Sequence, residues 1–234
     1  GAGISIFRDS NGPISAGGIS AGASYFIPLS SDGDRKDQFS FGTSISLYNM
    51  NFDYTKLNTE EAYDPLLQGN ESNIFMAYAN FGAAATYKGL FGGVSVNDIA
   101  LSNDQSIVNN YEPSPIKFFL NLGYDWKFSD NISLTPSVLI NLNTNSTRMV
   151  DYNIMANFTG EINALSVGAS FRSVQNRFDS QQLSVSPIVK VRFNKFMIGA
   201  TYNIGMSDIQ KYGGDSFMLG VGYNFDNFIN RRGY

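Results

Sequence analysis

Residues 38–48 read QFSFGTSISLY, and this stretch decides the fold class. Its large apolar side chains occupy alternate positions, at Phe39, Phe41, Ile45 and Leu47, and small or polar residues occupy most of the positions between them. Successive side chains of a β-strand point to opposite faces. The stretch therefore predicts a strand with one apolar face and one small, polar face.

The same two-sided pattern recurs along the chain and predicts about 12 strands. They are placed at residues 1–7, 16–28, 38–48, 74–87, 90–97, 116–128, 132–142, 150–158, 162–172, 183–193, 196–204 and 217–225. Tight turns at 88–89, 129–131, 159–161 and 194–195 alternate with longer connections at 49–73, 98–115, 143–149, 173–182 and 205–216. Short turns at one rim and long loops at the other are typical of outer-membrane barrels. The predicted fold is all-β, a transmembrane antiparallel β-barrel.

Composition agrees with a barrel and excludes several other classes. Hydrophobic residues make up 43% and charged residues 15% of the chain, and nothing divides it, so one barrel domain is predicted over residues 1–234. No run reaches the 18 or more apolar residues that a spanning helix needs. The chain has no Cys and no His, and the acidic residues of its longest loop do not have EF-hand spacing. We therefore predict no enzyme, no metal and no cofactor, and the net charge of −4 argues against a nucleic-acid partner.

Two further features bear on the barrel. Aromatic residues flank the tight turns, as a membrane-interface girdle requires: Tyr87, Phe128, Phe158, Phe193, Phe196 and Phe225. Pro136 and Pro187 lie inside predicted strands and each removes a ladder donor, so a β-bulge is expected at both. A soluble β-sandwich is the alternative, because alternating apolar residues also build sandwich cores.

Five charged residues fall on the inward faces of the predicted strands: Asp125, Lys127, Arg172, Lys190 and Arg192. One interpretation is a selectivity lining inside a pore. The other is a network of ion pairs and hydrogen bonds that fills a narrow or plugged lumen, since polar interiors are general in barrels. Both interpretations make these residues lumen-lining candidates.

Apolar residues in the long loop at 49–73 are candidates for contact with a partner protein or for folding over the barrel mouth: Phe52, Tyr54, Tyr63, Leu66 and Leu67. At the other end of the chain, Arg231 and Arg232 could pair with acidic groups of a periplasmic partner. The loop rule places the last strand so that the C-terminus is periplasmic and the long loops are extracellular.

Four stretches resemble the PorP/SprF family of type IX secretion outer-membrane proteins of Bacteroidota. They are RDSNGPIS at 8–15, NFGAAATYKGLFGGVSVNDI at 80–99, LGYDWKFSDNISLTPSVLI at 122–140, and the pair FMIGATYNIGMSD and FMLGVGYNFD at 196–208 and 217–226. Family members begin with Asn-Pro and Ala-Gly motifs and early strands that this chain lacks. We therefore expect that about two N-terminal strands are missing and that the full-length barrel has about 14.

The resemblance implies a non-enzymatic barrel of the type IX secretion system. Such a protein assists export of particular cargo or anchors it at the cell surface, with gliding-type adhesins as the cargo and periplasmic secretion or gliding-motor components as further partners. The alternative functions are a diffusion porin or small-solute transporter, and a soluble sandwich adhesin. An open channel conducts ions, whereas a plugged scaffold does not.

Overall fold

The computed structural model describes residues 1–11, 14–30, 37–53, 73–102, 116–144, 147–175, 180–207 and 215–224. These segments form 13 β-strands. In chain order they are β1 (Ala2–Asn11), β2 (Ile14–Ser30), β3 (Asp37–Phe52), β4 (Asn73–Tyr87), β5 (Leu90–Ala100), β6 (Lys117–Tyr124), β7 (Trp126–Ser129), β8 (Ile132–Asn143), β9 (Arg148–Thr159), β10 (Asn163–Gln175), β11 (Ser180–Phe193), β12 (Phe196–Gly205) and β13 (Ser216–Tyr223). Among these residues, no helix is long and apolar enough to cross a membrane.

The 13 strands belong to one antiparallel sheet in which sequence neighbours are also spatial neighbours. The order is β1-β2-β3-β4-β5-β6-β8-β9-β10-β11-β12-β13, and β7 pairs with β8. This meander is the strand order of an up-and-down barrel, and it confirms the predicted all-β antiparallel fold. A sandwich would need two packed sheets, whereas all 13 strands lie in one.

One predicted strand differs in the structure. The sequence predicts a single strand over residues 116–128, and the structure divides it into β6 and β7 at Asp125. The Asp125 N–H donates to the Gly89 carbonyl oxygen at 2.8 Å, so this backbone group bonds to the turn between β4 and β5. The division gives 13 strands where about 12 were predicted.

The exposure of the two faces of the sheet is the reverse of that in a soluble protein, because large apolar side chains are exposed and small polar side chains are buried. In β3, the side chains of Phe41 and Ile45 are 48% and 53% exposed, whereas Ser46 is 3% exposed. Each of the 13 strands carries at least one exposed large apolar side chain. We call the face that carries Phe41 and Ile45 the apolar face and the face that carries Ser44 and Ser46 the polar face. An apolar face of this extent is expected where the surrounding solvent is lipid.

Two of the predicted tight turns are confirmed by left-handed backbone conformations. Lys88 and Gly89 have φ of 49° and 89°, and Asn194 has φ of 53°. Two-residue hairpin turns need positive φ because only that twist matches the flanking strands. Lysine rarely adopts this conformation, and here the carboxylate of buried Asp37 accepts the Lys88 N–H at 2.8 Å.

The expected bulge at Pro187 is wrong. β10 and β11 pair in continuous register through Ala169 and Pro187, and their register shift lies elsewhere, between Arg172 and Ser173. On the other side, the β11–β12 ladder has pairs at Val185 and Ile188 but none at Pro187. The missing N–H of proline is therefore accommodated by a gap in one ladder, and the Pro187 carbonyl accepts the Thr201 hydroxyl at 3.0 Å.

By its internal contacts the chain divides into two compact units. The first unit comprises Gly1–Lys88, Gly92–Leu120 and Asn141–Ser146, and the second comprises Gly89–Phe91, Asn121–Ile140 and Thr147–Tyr234. The assignment of residues 1–234 to a single barrel domain stays a prediction.

The buried core of the first unit lies on the polar face, where Ile74, Met76 and Tyr78 pack with Tyr48 and Met50. The rings of Phe7 and Tyr48 meet edge to face at 5.1 Å. Gly18 pairs with both residues and lies beneath their rings. A Cβ on Gly18 would lie 2.5 Å from Phe7 and 2.7 Å from Tyr48, so glycine is needed for this close approach.

Candidate functional site

The candidate site is the polar face of β9, β10 and β11 in the second unit. Along β11, Val189 and Val191 are exposed on the apolar face, and the alternate residues Ser186, Lys190 and Arg192 lie on the polar face. This alternation places the cations predicted from sequence on one face. Their surroundings, however, differ strongly from one end of the strands to the other.

Arg172 is paired with a buried carboxylate. The register places it directly opposite Asp151 of β9. The guanidinium donates from Nε and Nη2 to the two carboxylate oxygens of Asp151 at 2.6 and 2.8 Å. The Asp151 side chain is 10% exposed and that of Arg172 is 46% exposed, so the arginine covers the carboxylate. A two-pronged contact of this kind fixes geometry as well as compensating charge.

Asp125, between β6 and β7, lies at the end of a chain of polar side chains that continues across β8 and β9. The Thr135 hydroxyl donates to the Asp125 carboxylate at 3.2 Å. The amide of Asn157, in β9, donates to the Thr135 hydroxyl at 3.0 Å and to the Ser133 hydroxyl at 3.3 Å. Lys127 is exposed and pairs in register with Ser133. The structure therefore brings Asp125 and Lys127 to opposite ends of one Ser/Thr/Asn cluster.

Lys190 and Arg192 have neutral surroundings. Lys190 pairs in register with Ser166 and Gly199, and Arg192 pairs with Ala164 and Met197. Neither side chain forms an ion pair or hydrogen bond with a described residue. The Arg192 Nε is buried and has no acceptor among those residues. These two cations thus contrast with Arg172, which lies on the same face.

A second polar chain, which the sequence pattern does not predict, lies in the first unit. The Asn80 amide donates to the hydroxyls of Ser44 and Ser46 at 3.0 and 3.2 Å, and its oxygen accepts the Asp98 N–H at 2.9 Å. Asp98 has φ of 61°, a strained conformation inside a strand, and its carboxylate is 2.8 Å from the Lys117 ammonium. In the predicted strand at 116–128, Lys117 falls on the same face as Asp125. This position is the sequence signal that could have identified Lys117 as a member of a polar chain.

Most of the residues predicted to contact a partner lie outside the described residues. Phe52 is half-buried at the end of β3 and pairs in register with Ile14. The remaining candidates lie outside the described residues: Tyr54, Tyr63, Leu66, Leu67, Arg231 and Arg232. In the described segments, no group of three or more His, Cys, Asp or Glu residues is arranged to hold a metal ion.

The polar faces thus offer hydrogen-bonding groups and a few charges, and the apolar faces expose large apolar side chains. Comparison with protein families gives the context for this arrangement. The family model for the type IX secretion system membrane protein PorP/SprF matches residues 1–223. The chain belongs to the PorP/SprF family. The comparison with curated proteins gives no significant match.

Family membership confirms the resemblance seen in the four sequence stretches. A PorP/SprF chain is a membrane component of the type IX secretion system. This agrees with a sheet whose strands all expose large apolar side chains. The family match includes all 13 strands of the two compact units, since it runs from residue 1, just before β1, to the last residue of β13.

Proposed function

We propose that this PorP/SprF chain is a non-enzymatic outer-membrane barrel that assists export of specific cargo proteins, or anchors them at the cell surface. Gliding-type adhesins are the expected cargo, and periplasmic secretion or gliding-motor components are the expected machinery partners. The observation that carries the membrane part is the exposure of apolar side chains on every strand. Family membership supports the secretion part.

The proposal includes an orientation. Short turns of outer-membrane barrels face the periplasm and long loops face outside. Large aromatic side chains next to the tight turns are exposed, as an interfacial girdle requires: Tyr87, Phe128, Phe158, Phe193 and Phe196. On this rule the long loops are extracellular, the C-terminus is periplasmic, and membrane lipid contacts the apolar face.

Cysteine labelling tests the orientation sharply because the chain has no native cysteine. Arg148→Cys marks the start of β9, next to the longer connection at 143–149, and Asp130→Cys marks the tight turn between β7 and β8. A membrane-impermeant maleimide should label the Arg148 variant in intact cells. The Asp130 variant should react after the outer membrane is permeabilised. The opposite pattern would reverse the proposed orientation.

Purification from native outer membrane in mild detergent tests the partners. Mass spectrometry should identify a large secreted surface protein or periplasmic secretion components with the wild-type chain. We place cargo contacts on the long-loop rim or in the lumen. If they lie in the loop that follows Phe52, a Tyr63→Ala/Leu66→Ala variant should lose the surface protein. An Arg231→Ala/Arg232→Ala variant should instead lose the periplasmic components. Recovery of a solitary barrel would contradict the secretion role.

One observation favours a diffusion porin as the second candidate function. Lys190 and Arg192 make no ion pair with described residues, as expected of cations that line an open channel. Single-channel recording in planar bilayers separates the two functions. A plugged scaffold gives no steady conductance, whereas a porin gives conductance whose anion preference falls in the Lys190→Gln/Arg192→Gln variant.

A further inference from the structure

We propose that Lys190 and Arg192 form a docking site for an extended acidic segment of a partner polypeptide. The proposal rests on the proposed function, because that function supplies a polypeptide partner. It goes further by naming the residues and the charge pattern of the segment. Its basis is the contrast between these two cations and the other residues of the same face.

The first argument is the neutral neighbourhood. The residues that pair directly with Lys190 and Arg192 are uncharged, and so are those one strand further out, namely Asn157, Thr159, Gly220 and Gly222. Glu161, in the turn between β9 and β10, is exposed and makes no ion pair with Arg192. The charge of the two cations is therefore not compensated within the described part of the chain.

The second argument is the state of the Arg192 guanidinium. Its Nε is buried and finds no acceptor among the described residues. Leaving a buried donor of a charged group without a partner is costly, and native structures rarely do so without a bound ion, water or ligand. An incoming carboxylate would supply the acceptor and the opposite charge together.

The third argument is access to the face beside the cations. Gly199 pairs with Lys190, and Gly220 pairs with Gly199 in the next strand. A Cβ on Gly199 or on Gly220 would have its nearest neighbour at 3.9 Å, so no side chain fills the space above these two glycines. An extended peptide backbone can therefore approach the sheet closely on this side of β11.

The fourth argument is spacing. Lys190 and Arg192 are two residues apart in one strand, so their Cα atoms are separated by about 6.6–6.8 Å. Alternate side chains of an extended peptide have the same spacing. A segment with acidic residues at alternate positions would thus present one carboxylate to each cation, whereas a single small anion uses only part of the arrangement.

A synthetic peptide tests the site without the secretion machinery. The probe is a fluorescent ten-residue peptide of alternating Glu and Ser, titrated by anisotropy against the full chain in detergent, with a Gln/Ser peptide as the neutral control. Arg192→Gln and Lys190→Gln should each weaken binding about tenfold, as expected for the loss of one charged contact. Arg148→Gln removes the same charge from the start of β9 and should leave binding unchanged.

Each outcome is decisive once heat-modifiable gel mobility shows that the variants are folded. Equal weakening by Arg148→Gln would indicate general charge attraction and overturn the site. Inorganic phosphate that displaces the peptide at equal concentration would indicate a small-anion site and overturn the segment. Absence of peptide binding would also overturn it. Native partners that still co-purify in that case would leave the proposed function intact.

Discussion

Two ends of one face, both built from β10 and β11, treat their cations in different ways. At one end Arg172 lies opposite Asp151 and binds both carboxylate oxygens. At the other end Lys190 and Arg192 have uncharged neighbours on both sides. Since the strands and the face are the same, register alone decides which cation acquires a partner. We expect the partnered cation to stabilise the sheet and the others to remain available for binding.

The apolar face of β11 should tolerate a cation least of all. Val189 precedes Lys190 and is exposed on the opposite face. Val189→Arg should destabilise the folded chain in liposomes by about 2–4 kcal/mol if that face meets the bilayer centre. Reversible urea unfolding gives the free energy, with Val189→Leu as the control. Unchanged stability of the arginine variant would show that this face does not contact lipid.

Loss of the partnered cation should have the next largest effect. Arg172→Met leaves the buried Asp151 carboxylate without its two donors and should cost about 2 kcal/mol. Asp151→Asn, placed in the same chain, removes the unpaired charge and should recover part of that loss. The double-mutant cycle, measured by the same unfolding, reports the coupling. Strictly additive effects would mean that the pair contributes little.

Much of this fold could be predicted from sequence because alternation fixes both strand and face. The sequence predicts a strand over residues 183–193, and β11 confirms it, with Lys190 and Arg192 on the face opposite Val189 and Val191. That this face points inward stays a prediction. The division at Asp125 could not be predicted, since it involves a hydrogen bond to Gly89, which is distant in sequence. Alternation describes one strand at a time and gives no information about such long-range bonds.

The residue types of the candidate site could be predicted from sequence, but which of these residues pair with one another could not. Arg172 was assigned to the inward face, yet its partner Asp151 was not selected, because choosing it requires the β9–β10 register. Asp98 was assigned to a loop beyond the strand at 90–97, whereas β5 extends to Ala100. Its φ of 61° is held by the Asn80 contact, which no local pattern encodes.

The first unit contains a second partnered cation, Lys117, whose ion pair we expect to contribute less to stability than that of Arg172. Lys117 is 35% exposed, and its ammonium is 2.8 Å from the Asp98 carboxylate, its one ion pair with a described residue. Lys117→Met should cost about 0.5–1 kcal/mol, less than Arg172→Met, because a single, partly solvated contact is screened by water. Urea unfolding at low and high salt measures it. A cost equal to that of Arg172→Met would mean that exposure does not govern these pairs.

The smallest effect should come from the cations without partners. Arg192→Met keeps the length of the aliphatic stem and removes a guanidinium whose Nε has no acceptor in the described part of the chain. Because no described contact is lost and one buried unsatisfied donor disappears, stability should stay within about 0.5 kcal/mol of wild type or rise slightly. Lys190→Met should behave likewise. A loss as large as that of Arg172→Met would reveal a partner for Arg192 within the chain, and the two ends of this face would then be equivalent. Retained stability with lost peptide binding would instead separate the binding role of Arg192 from the structural role of Arg172.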